Sequence, residues 1–310
     1  MKKASGVLFL LGAALFWGVA FVAQDVGVEH IEPFTFTAVR CFLGGVALLI
    51  LAVISDLIKK KKNPETLTPE EKKTRIKNLV VSGLICGAIM ACATNLQQIG
   101  LVYTTAGKSG FITACYIVLV PIISLFFHKK CPLTVWIAVA LAVVGLYFLC
   151  LSDGFSGFNK GDAITFACTF AFAFHIIAVD RCVAKTDGIK LACAQCFVCS
   201  AISAVFMLIF EHPTMDGLIK AYIPLLYTGI MSAGVAYMFQ ILGQKRLSPT
   251  VASLIMSLES VISVIAAWII LNQKLSTREI IGCVVIFSAI ILAQLPKELF
   301  MKLKIKPKNK

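Results

Sequence analysis

The chain has 310 residues, of which 59% are hydrophobic and only 15% are charged, and its mean hydropathy is +0.89. Soluble domains carry about 25% charged residues, and a single soluble core stops growing near about 250–300 residues. This composition excludes a water-soluble fold. The formal net charge of +13 would also fit a nucleic-acid-binding protein, but the placement of the basic residues favours another explanation.

Apolar stretches long enough to cross a bilayer recur along the whole chain. About 20 residues of helix span the hydrocarbon core. Predicted transmembrane helices cover 5–23, 34–54, 79–99, 106–127, 133–151, 162–179, 189–210, 222–242, 250–271 and 279–295. The stretches are continuous and do not alternate, which favours helices over a β-barrel. The sequence therefore predicts an all-α integral membrane protein with ten transmembrane helices.

The distribution of lysine and arginine predicts the orientation of these helices. If the N-terminus lies inside, the inside segments hold 23 of the 29 basic residues and the outside connections hold four. Cytoplasmic segments carry such an excess, so both termini and the charged 55–78 connection are predicted to be cytoplasmic in an inner cell membrane. This bias also explains the net charge, so the tail 296–310 is interpreted as a surface anchor near anionic lipid and no nucleic-acid partner is predicted.

Weak internal similarity divides the chain into two halves. The pairs that match at a shift of 155 residues include Gly6 with Gly161, and those that match at 143 include Gln97 with Gln240 and Gly100 with Gly243. Each half has five helices, an odd number, so the second half enters the membrane from the opposite side. The predicted domains are a first repeat at 1–151, an inverted second repeat at 152–295, and a basic tail at 296–310. Inverted repeats are typical of secondary transporters, whose sites lie near the midplane between the halves.

Several segments resemble the EamA-type branch of the drug/metabolite transporter superfamily. The strongest is 244–292, which reads QKRLSPTVASLIMSLESVISVIAAWIILNQKLSTREIIGCVVIFSAIIL. The first half contributes FWGVAFVAQD at 16–25, PFTFTAVRCFLGG at 33–45 and GLVYTTAGKSGFITACYIVLVPI at 100–122. Two departures stand out, because the family often has Leu-Glu-Pro where this chain has Leu258-Glu259-Ser260, and Gly-Glu where it has Asn272-Gln273. The first removes a proline that could kink the ninth helix, and the second removes an acidic group at the outer surface.

Few ionisable side chains lie within the predicted spans, and the candidates among them are Arg40, Lys108 and Glu259. A charge at the bilayer centre costs about 2.5–3.5 kcal/mol on insertion scales, so such groups are candidates for function. Arg40, which the resemblance places on an arginine of the family, either lines the cavity or serves structural pairing, and Lys108 either binds substrate or snorkels to the outer surface. Burial favours the neutral form of a carboxyl group, so Glu259 is a candidate for proton coupling, with a structural hydrogen bond as the alternative.

Amide and phenol side chains complete the predicted substrate-binding set. A polar side chain in lipid must find a partner, so each either joins two helices or lines a cavity. The members are Asn95, Gln97, Gln98, Tyr116, Gln195, Tyr237 and Gln240. His175 is assigned to packing. Most of the twelve cysteines lie in apolar runs, where free cysteine behaves as a small hydrophobic residue, and no metal site or cofactor is predicted.

Two function classes are favoured by these observations, and a purely structural or partner-regulating membrane protein is a third that the sequence leaves open. The first is a secondary transporter, an exporter or exchanger that moves small metabolites such as amino acids or organic acids by alternating access. The alternative is an integral-membrane enzyme acting on a lipid or lipid-linked substrate, which should gather acid, base or metal groups at one membrane face. The ionisable groups here are sparse and dispersed, which favours the transporter. The sequence leaves open whether two copies form a homodimer.

Overall fold

The structure is a computed structural model that describes residues 2–62, 68–126, 132–150, 159–271 and 276–294. We number ten helical units α1–α10 in chain order. Uninterrupted units are α1 (Lys2–Val28), α2 (Pro33–Lys62), α3 (Pro69–Leu101), α5 (Leu133–Cys150), α6 (Lys160–Cys182), α7 (Gly188–Phe210) and α10 (Thr277–Gln294). Units made of consecutive segments are α4 (Ala106–Ala114 and Tyr116–Phe126), α8 (Tyr222–Leu226, Tyr227–Ala236 and Tyr237–Gln244) and α9 (Pro249–Met256 and Leu258–Leu271).

The predicted all-α membrane fold with ten helices is confirmed. Within the described ranges, eight units are long and apolar enough to cross a membrane, and α5 and α10 contain shorter apolar helices, Leu133–Gly145 and Ile280–Leu292. The predicted bounds were too short for α2 and α3, which have 30 and 33 residues. At about 1.5 Å per residue, both extend well beyond the hydrocarbon core. A short helix, Met215–Lys220, was not predicted, and the tail 296–310 and Asn272-Gln273 lie outside the described residues.

Two helices that were predicted as continuous are broken near their middles. The break lies at Cys115 in α4 and at Ser257 in α9, positions that fall one residue apart when the halves are aligned at a shift of 143. In α9 the hydroxyls of Ser257 and Ser260 donate to the carbonyls of Leu254 and Ser257, at 2.8 and 2.7 Å. Such bonds to the preceding turn bend helices. The ninth helix is therefore interrupted without the proline of the family pattern.

Each large helix interface has a counterpart formed by the corresponding helices of the other half. In one half α1 packs against α8 and α9, and in the other α6 packs against α3 and α4. Likewise α2 packs against α8 while α7 packs against α3, and the remaining large interfaces, α2 with α7 and α5 with α10, each pair a helix with its own repeat mate. Each half therefore completes the other.

Two pairs of helices that cross at glycine residues show this correspondence in atomic detail. A Cβ added to Gly100 of α3 would lie 3.0 Å from the carbonyl oxygen of Gly161 in α6. A Cβ added to Gly243 of α8 would lie 3.1 Å from the carbonyl oxygen of Gly6 in α1. The two pairs that the sequence aligned, Gly6 with Gly161 and Gly100 with Gly243, thus make the same close helix contact twice.

Contacts at both ends also join α2 to α7, which belong to different halves. At one end the Glu211 carboxylate accepts hydrogen bonds from the amides of Phe34 and Thr35, at 2.7 and 2.6 Å, and so caps the N-terminus of α2. At the other end Asp56 of α2 pairs with Lys190 in the first turn of α7 at 2.7 Å. Glu211 and Asp56 are repeat mates at a shift of 155, so the two ends use corresponding positions.

Candidate functional site

A cavity lies between the two halves, with about 570 Å³ of space not occupied by atoms, part of which is open to solvent. Its walls come from α1, α2, α3, α4, α6, α8 and α9, and no described residue of α5, α7 or α10 lines it. The lining consists of Trp17, Phe21, Gln24, Arg40, Cys41, Met90, Thr94, Gln97, Thr113, Tyr116, Phe172, His175, Ile176, Ser232, Ala233, Tyr237, Gln240, Met256 and Glu259.

Most of the lining residues come in pairs that occupy corresponding positions of the two halves. Two pairs match at the shift of 155 and five at the shift of 143. They are Trp17 with Phe172, Phe21 with Ile176, Met90 with Ala233, Thr94 with Tyr237, Gln97 with Gln240, Thr113 with Met256, and Tyr116 with Glu259. The cavity therefore lies where the halves face one another, as at the sites of inverted-repeat proteins. The two members of a pair mostly differ in chemistry, so the charges are not symmetric.

Arg40 places a buried positive charge in the cavity wall. Its side chain is only 4% exposed, its guanidinium lies 5.6 Å from the centroid of the Phe36 ring, and its Nη1 donates a hydrogen bond to Gln24 Oε1. Its Nε has no partner, and Arg40 forms no ion pair with an acid within the described ranges. A buried cation that lacks a counter-ion is unusual, because burying an isolated charge is costly.

Glu259 lies at another wall of the cavity and is bonded to its own repeat mate. Tyr116 Oη donates to Glu259 Oε1 at 2.9 Å, and both side chains are buried. Each residue lies just after the break in its helix, Tyr116 in α4 and Glu259 in α9. The two breaks thus bring a phenol and a carboxyl group together across the interface between the halves.

Aromatic rings and a histidine form the wall between these charged groups. Trp17 and Tyr237 meet edge to face with ring centroids 5.0 Å apart, and His175 meets Tyr237 at 5.7 Å. His175 Nε2 lies 3.2 Å from Gln195 Oε1, and an amide oxygen only accepts hydrogen bonds, so Nε2 carries the proton. Its Nδ1 is then an acceptor, and it has no partner among the described residues. The cavity thus offers donors, acceptors and aromatic faces to a solute.

Comparison with known proteins identifies the family. The model of the EamA-like transporter family matches residues 4–151 and 159–295. The chain belongs to the EamA-like transporter family. It is 29% identical over 299 residues to an uncharacterized transporter of Archaeoglobus fulgidus, covering 95% of this chain and 87% of that protein. It is 23% identical over 296 residues to the uncharacterized transporter YoaV of Bacillus subtilis, covering 92% and 95%.

A solved structure shares the same fold. It superposes with a TM-score of 0.75 at 17% identity and covers 94% of this chain and 99% of that one. Its title says only "Crystal structure of protein", so it supports the fold alone. The family match and the apolar helices together establish this EamA-like protein as a multi-pass membrane transporter.

Six of the predicted site residues of this transporter line the cavity and four do not. The six are Arg40, Gln97, Tyr116, Tyr237, Gln240 and Glu259. Lys108 instead pairs with the buried Asp162 of α6 at 3.6 Å, and Asn95 Nδ2 donates to Ser203 Oγ of α7 at 2.7 Å. Gln195 reaches the lining only through His175, and Gln98 is fully buried outside it. For Asn95 and Lys108 the structural interpretation fits these contacts better.

Sequence reasoning missed several polar groups of the lining, among them Gln24, Thr94, Thr113 and Ser232, and it assigned His175, which also lines the cavity, to packing. Gln24 carries the only hydrogen bond that Arg40 makes to a described side chain, and Thr113 accepts a hydrogen bond from Gln97 Nε2 at 3.1 Å. Gln24 was missed because the first span was predicted to end at residue 23, whereas α1 continues to Val28. In the described ranges no three His, Cys, Asp or Glu side chains lie together as a metal site would require.

Proposed function

We propose that this EamA-like transporter is a secondary carrier of small carboxylate-bearing or zwitterionic metabolites, such as amino acids or organic acids. The observation that carries the proposal is Arg40, a buried cation in the cavity wall without an acidic partner in the described structure. A solute carboxylate supplies the missing counter-ion. Arginine binds a carboxylate through two parallel N–H···O bonds, and Nε of Arg40 has no partner among the residues that the structure describes.

The remaining polar groups of the lining favour a zwitterion or a neutral tail over a permanent cation. Glu259 is the only acid among the described residues of the lining, and it already accepts a hydrogen bond from the hydroxyl of Tyr116. Gln240 Oε1 and His175 Nδ1 have no described partner and both accept hydrogen bonds, as the ammonium group of an amino acid requires. A solute that carries only positive charge would face Arg40 without compensation.

Glu259 is the proposed site of proton coupling. It lies directly after the break of α9 and bonds to the corresponding position of α4, so its protonation state bears on a contact between the halves. A protonated Glu259 leaves Arg40 as the net charge of the cavity and favours binding of an anion. Ionisation of Glu259 cancels that charge and favours release.

The proposed movement is alternating access between the two halves, with export or exchange of the solute. The cavity lies between two halves that are repeats of one another, and in inverted-repeat transporters the halves move relative to each other around such a site. This position supports the proposed movement. The proposed location is the inner membrane with both termini in the cytoplasm, supported by the bias of 23 basic residues to four and by the positive-inside rule.

The test is counterflow into liposomes that contain the purified protein and are loaded with one unlabelled solute. Labelled amino acids and organic acids are expected to accumulate, and their amide and ester analogues are not. Mass spectrometry of the recovered solutes separates transport from the enzymatic alternative, because a carrier returns them unchanged. Accumulation of permanently cationic solutes alone, or chemical conversion without accumulation, would overturn the proposal.

A further inference from the structure

Two cysteine thiols from different halves touch behind the arginine of the cavity wall. The Sγ atoms of Cys41 in α2 and Cys199 in α7 are 3.4 Å apart, and both side chains are fully buried. Cys41 is itself part of the cavity lining. The hydroxyl of Thr94, another lining residue, lies 3.5 Å from the sulfur of Cys199. Cys41 thus borders the space that a solute would fill, and Cys199 lies directly behind it.

The backbones of α2 and α7 are close on either side of this pair. Ser200 Oγ donates to the carbonyl oxygen of Ala38 at 2.8 Å, and Cys193 Sγ approaches the carbonyl oxygen of Gly45 at 3.5 Å. Such short side chains reach a neighbouring main chain only where two helices lie close together. A disulfide needs Cα atoms about 4.4–6.8 Å apart, and the contacts on either side hold the two helices close to one another at this pair.

We propose that Cys41 and Cys199 are a reversible redox site that stops transport when a peroxide oxidises it. A small peroxide enters the cavity and one thiolate attacks it, giving a sulfenic acid and water or an alcohol. The second thiol then displaces water from the sulfenic acid and forms the disulfide. The two sulfurs together lose two electrons, which reduce the O–O bond of the peroxide. Burial disfavours a thiolate, and the positive charge of Arg40, the residue before Cys41 in the chain, opposes that effect.

The two thiols of Cys41 and Cys199 can move apart, whereas a disulfide would hold α2 and α7 together. It brings the sulfurs from 3.4 Å to about 2.0 Å, and it ties the first half of the chain covalently to the second. It also displaces the residue next to Arg40 in the cavity wall. The loss of transport rests on the proposed carrier function, whereas the formation of the disulfide does not.

The experiment treats the full-length protein in liposomes with hydrogen peroxide and measures two things in parallel. Peptide mapping by mass spectrometry measures the Cys41–Cys199 disulfide, and counterflow measures transport before and after reduction with dithiothreitol. The disulfide is expected to form, transport to fall in proportion to the cross-linked fraction, and both to recover on reduction. Bound solute is expected to slow the reaction, because it fills the cavity.

Serine variants locate the effect. Cys199→Ser, which is not in the lining, is expected to retain transport and lose its sensitivity to peroxide. Cys196→Ser is the matched control, since Cys196 is equally buried on the same helix and its Sγ contacts the carbonyl of Ala233 at 3.1 Å, a bond that a hydroxyl can keep. It is expected to stay sensitive. A second thiol pair, Cys86 with Cys182, lies outside the cavity lining and is removed in a parallel variant.

Two results would overturn the proposal. One is the absence of the Cys41–Cys199 disulfide in peptides from peroxide-treated protein, whatever happens to transport. The other is full cross-linking with unchanged counterflow, which would leave a disulfide without a regulatory effect. If the protein transports none of the tested solutes, the peptide map still decides whether the redox site exists, so failure of the carrier proposal is distinguishable.

Discussion

Replacing Arg40 with glutamine tests the proposed recognition of a carboxylate most directly. Glutamine is the residue at the repeat-related position, Gln195, so the variant makes the two halves alike there. It removes the charge and the Nε edge but keeps an amide that can bond to Gln24. Arg40 pairs with no acid in the described structure, and its Nε has no hydrogen-bond partner there. Removing its charge therefore leaves no acidic group of the described protein without a counter-ion.

The expected magnitude follows from the bonds that a bound carboxylate would lose. Hydrogen bonds to charged groups contribute about 1.5–3 kcal/mol. At about 1.4 kcal/mol per factor of ten, Arg40→Gln should raise the KM for a carboxylate solute by roughly 10- to 150-fold. Arg40→Lys keeps the charge but not the planar pair of donors. Its KM for the carboxylate solute should lie between those of the wild-type protein and of Arg40→Gln.

The assay compares each solute acid with its neutral amide in counterflow. The variant should lose most of the preference for the acid, and the rate for the amide should change little. Lys220→Gln is the control for general electrostatics, because Lys220 is exposed on the short helix Met215–Lys220 and pairs only locally with Asp216. Equal losses for acid and amide in Arg40→Gln, with a lowered Tm, would show that Arg40 is structural and would refute the reasoning.

Three further predictions concern coupling, packing and topology. Glu259→Gln should abolish the pH dependence of counterflow, and an unchanged pH profile would remove the proton role. Gly161→Ala should lower stability by about 1–3 kcal/mol, measured as a lower Tm in detergent, because the added Cβ would lie 2.5 Å from the carbonyl oxygen of Gly100. Gly107→Ala is its control, since nothing lies within 4 Å of the added Cβ. In a cysteine-free background, an impermeant maleimide added outside should label a cysteine at Ser156 and not one at Asn63; the reverse pattern would invert the topology.

The sequence predicted the helices well because lipid leaves the backbone few alternatives. A segment in hydrocarbon must satisfy its own hydrogen bonds, so length and apolarity decide the element. The interruptions at Cys115 and Ser257 were not predicted, because both stretches are long and apolar enough to be interpreted as continuous helices. Serine bonds to the preceding turn cause the one at Ser257, and a run of serines in α9 was the available signal.

The site was predicted only in part, because a polar residue in a membrane span can either bond to another helix or line the cavity. Gln97 and Asn95 are two residues apart on α3, and both must find partners. Gln97 faces the cavity and Asn95 bonds to Ser203 of α7. Which of the two faces the cavity depends on the neighbours of α3, and the sequence of α3 does not contain them. Lys108 illustrates the same limit, because its partner Asp162 is 54 positions further along the chain.

The middle segment of α8 has a consequence for the proposed transport cycle. Residues Tyr227–Ala236 form a π-helix, whereas the corresponding stretch of α3, residues 84–93, is regular α-helix. If the halves swap conformations during transport, the widened turn migrates from α8 to α3. One extra residue in a turn rotates the side chains that follow by about 100°, so Thr94 and Gln97 would swing while Tyr237 and Gln240 turned back. The binding surface presented to one compartment would then differ in composition from the surface presented to the other.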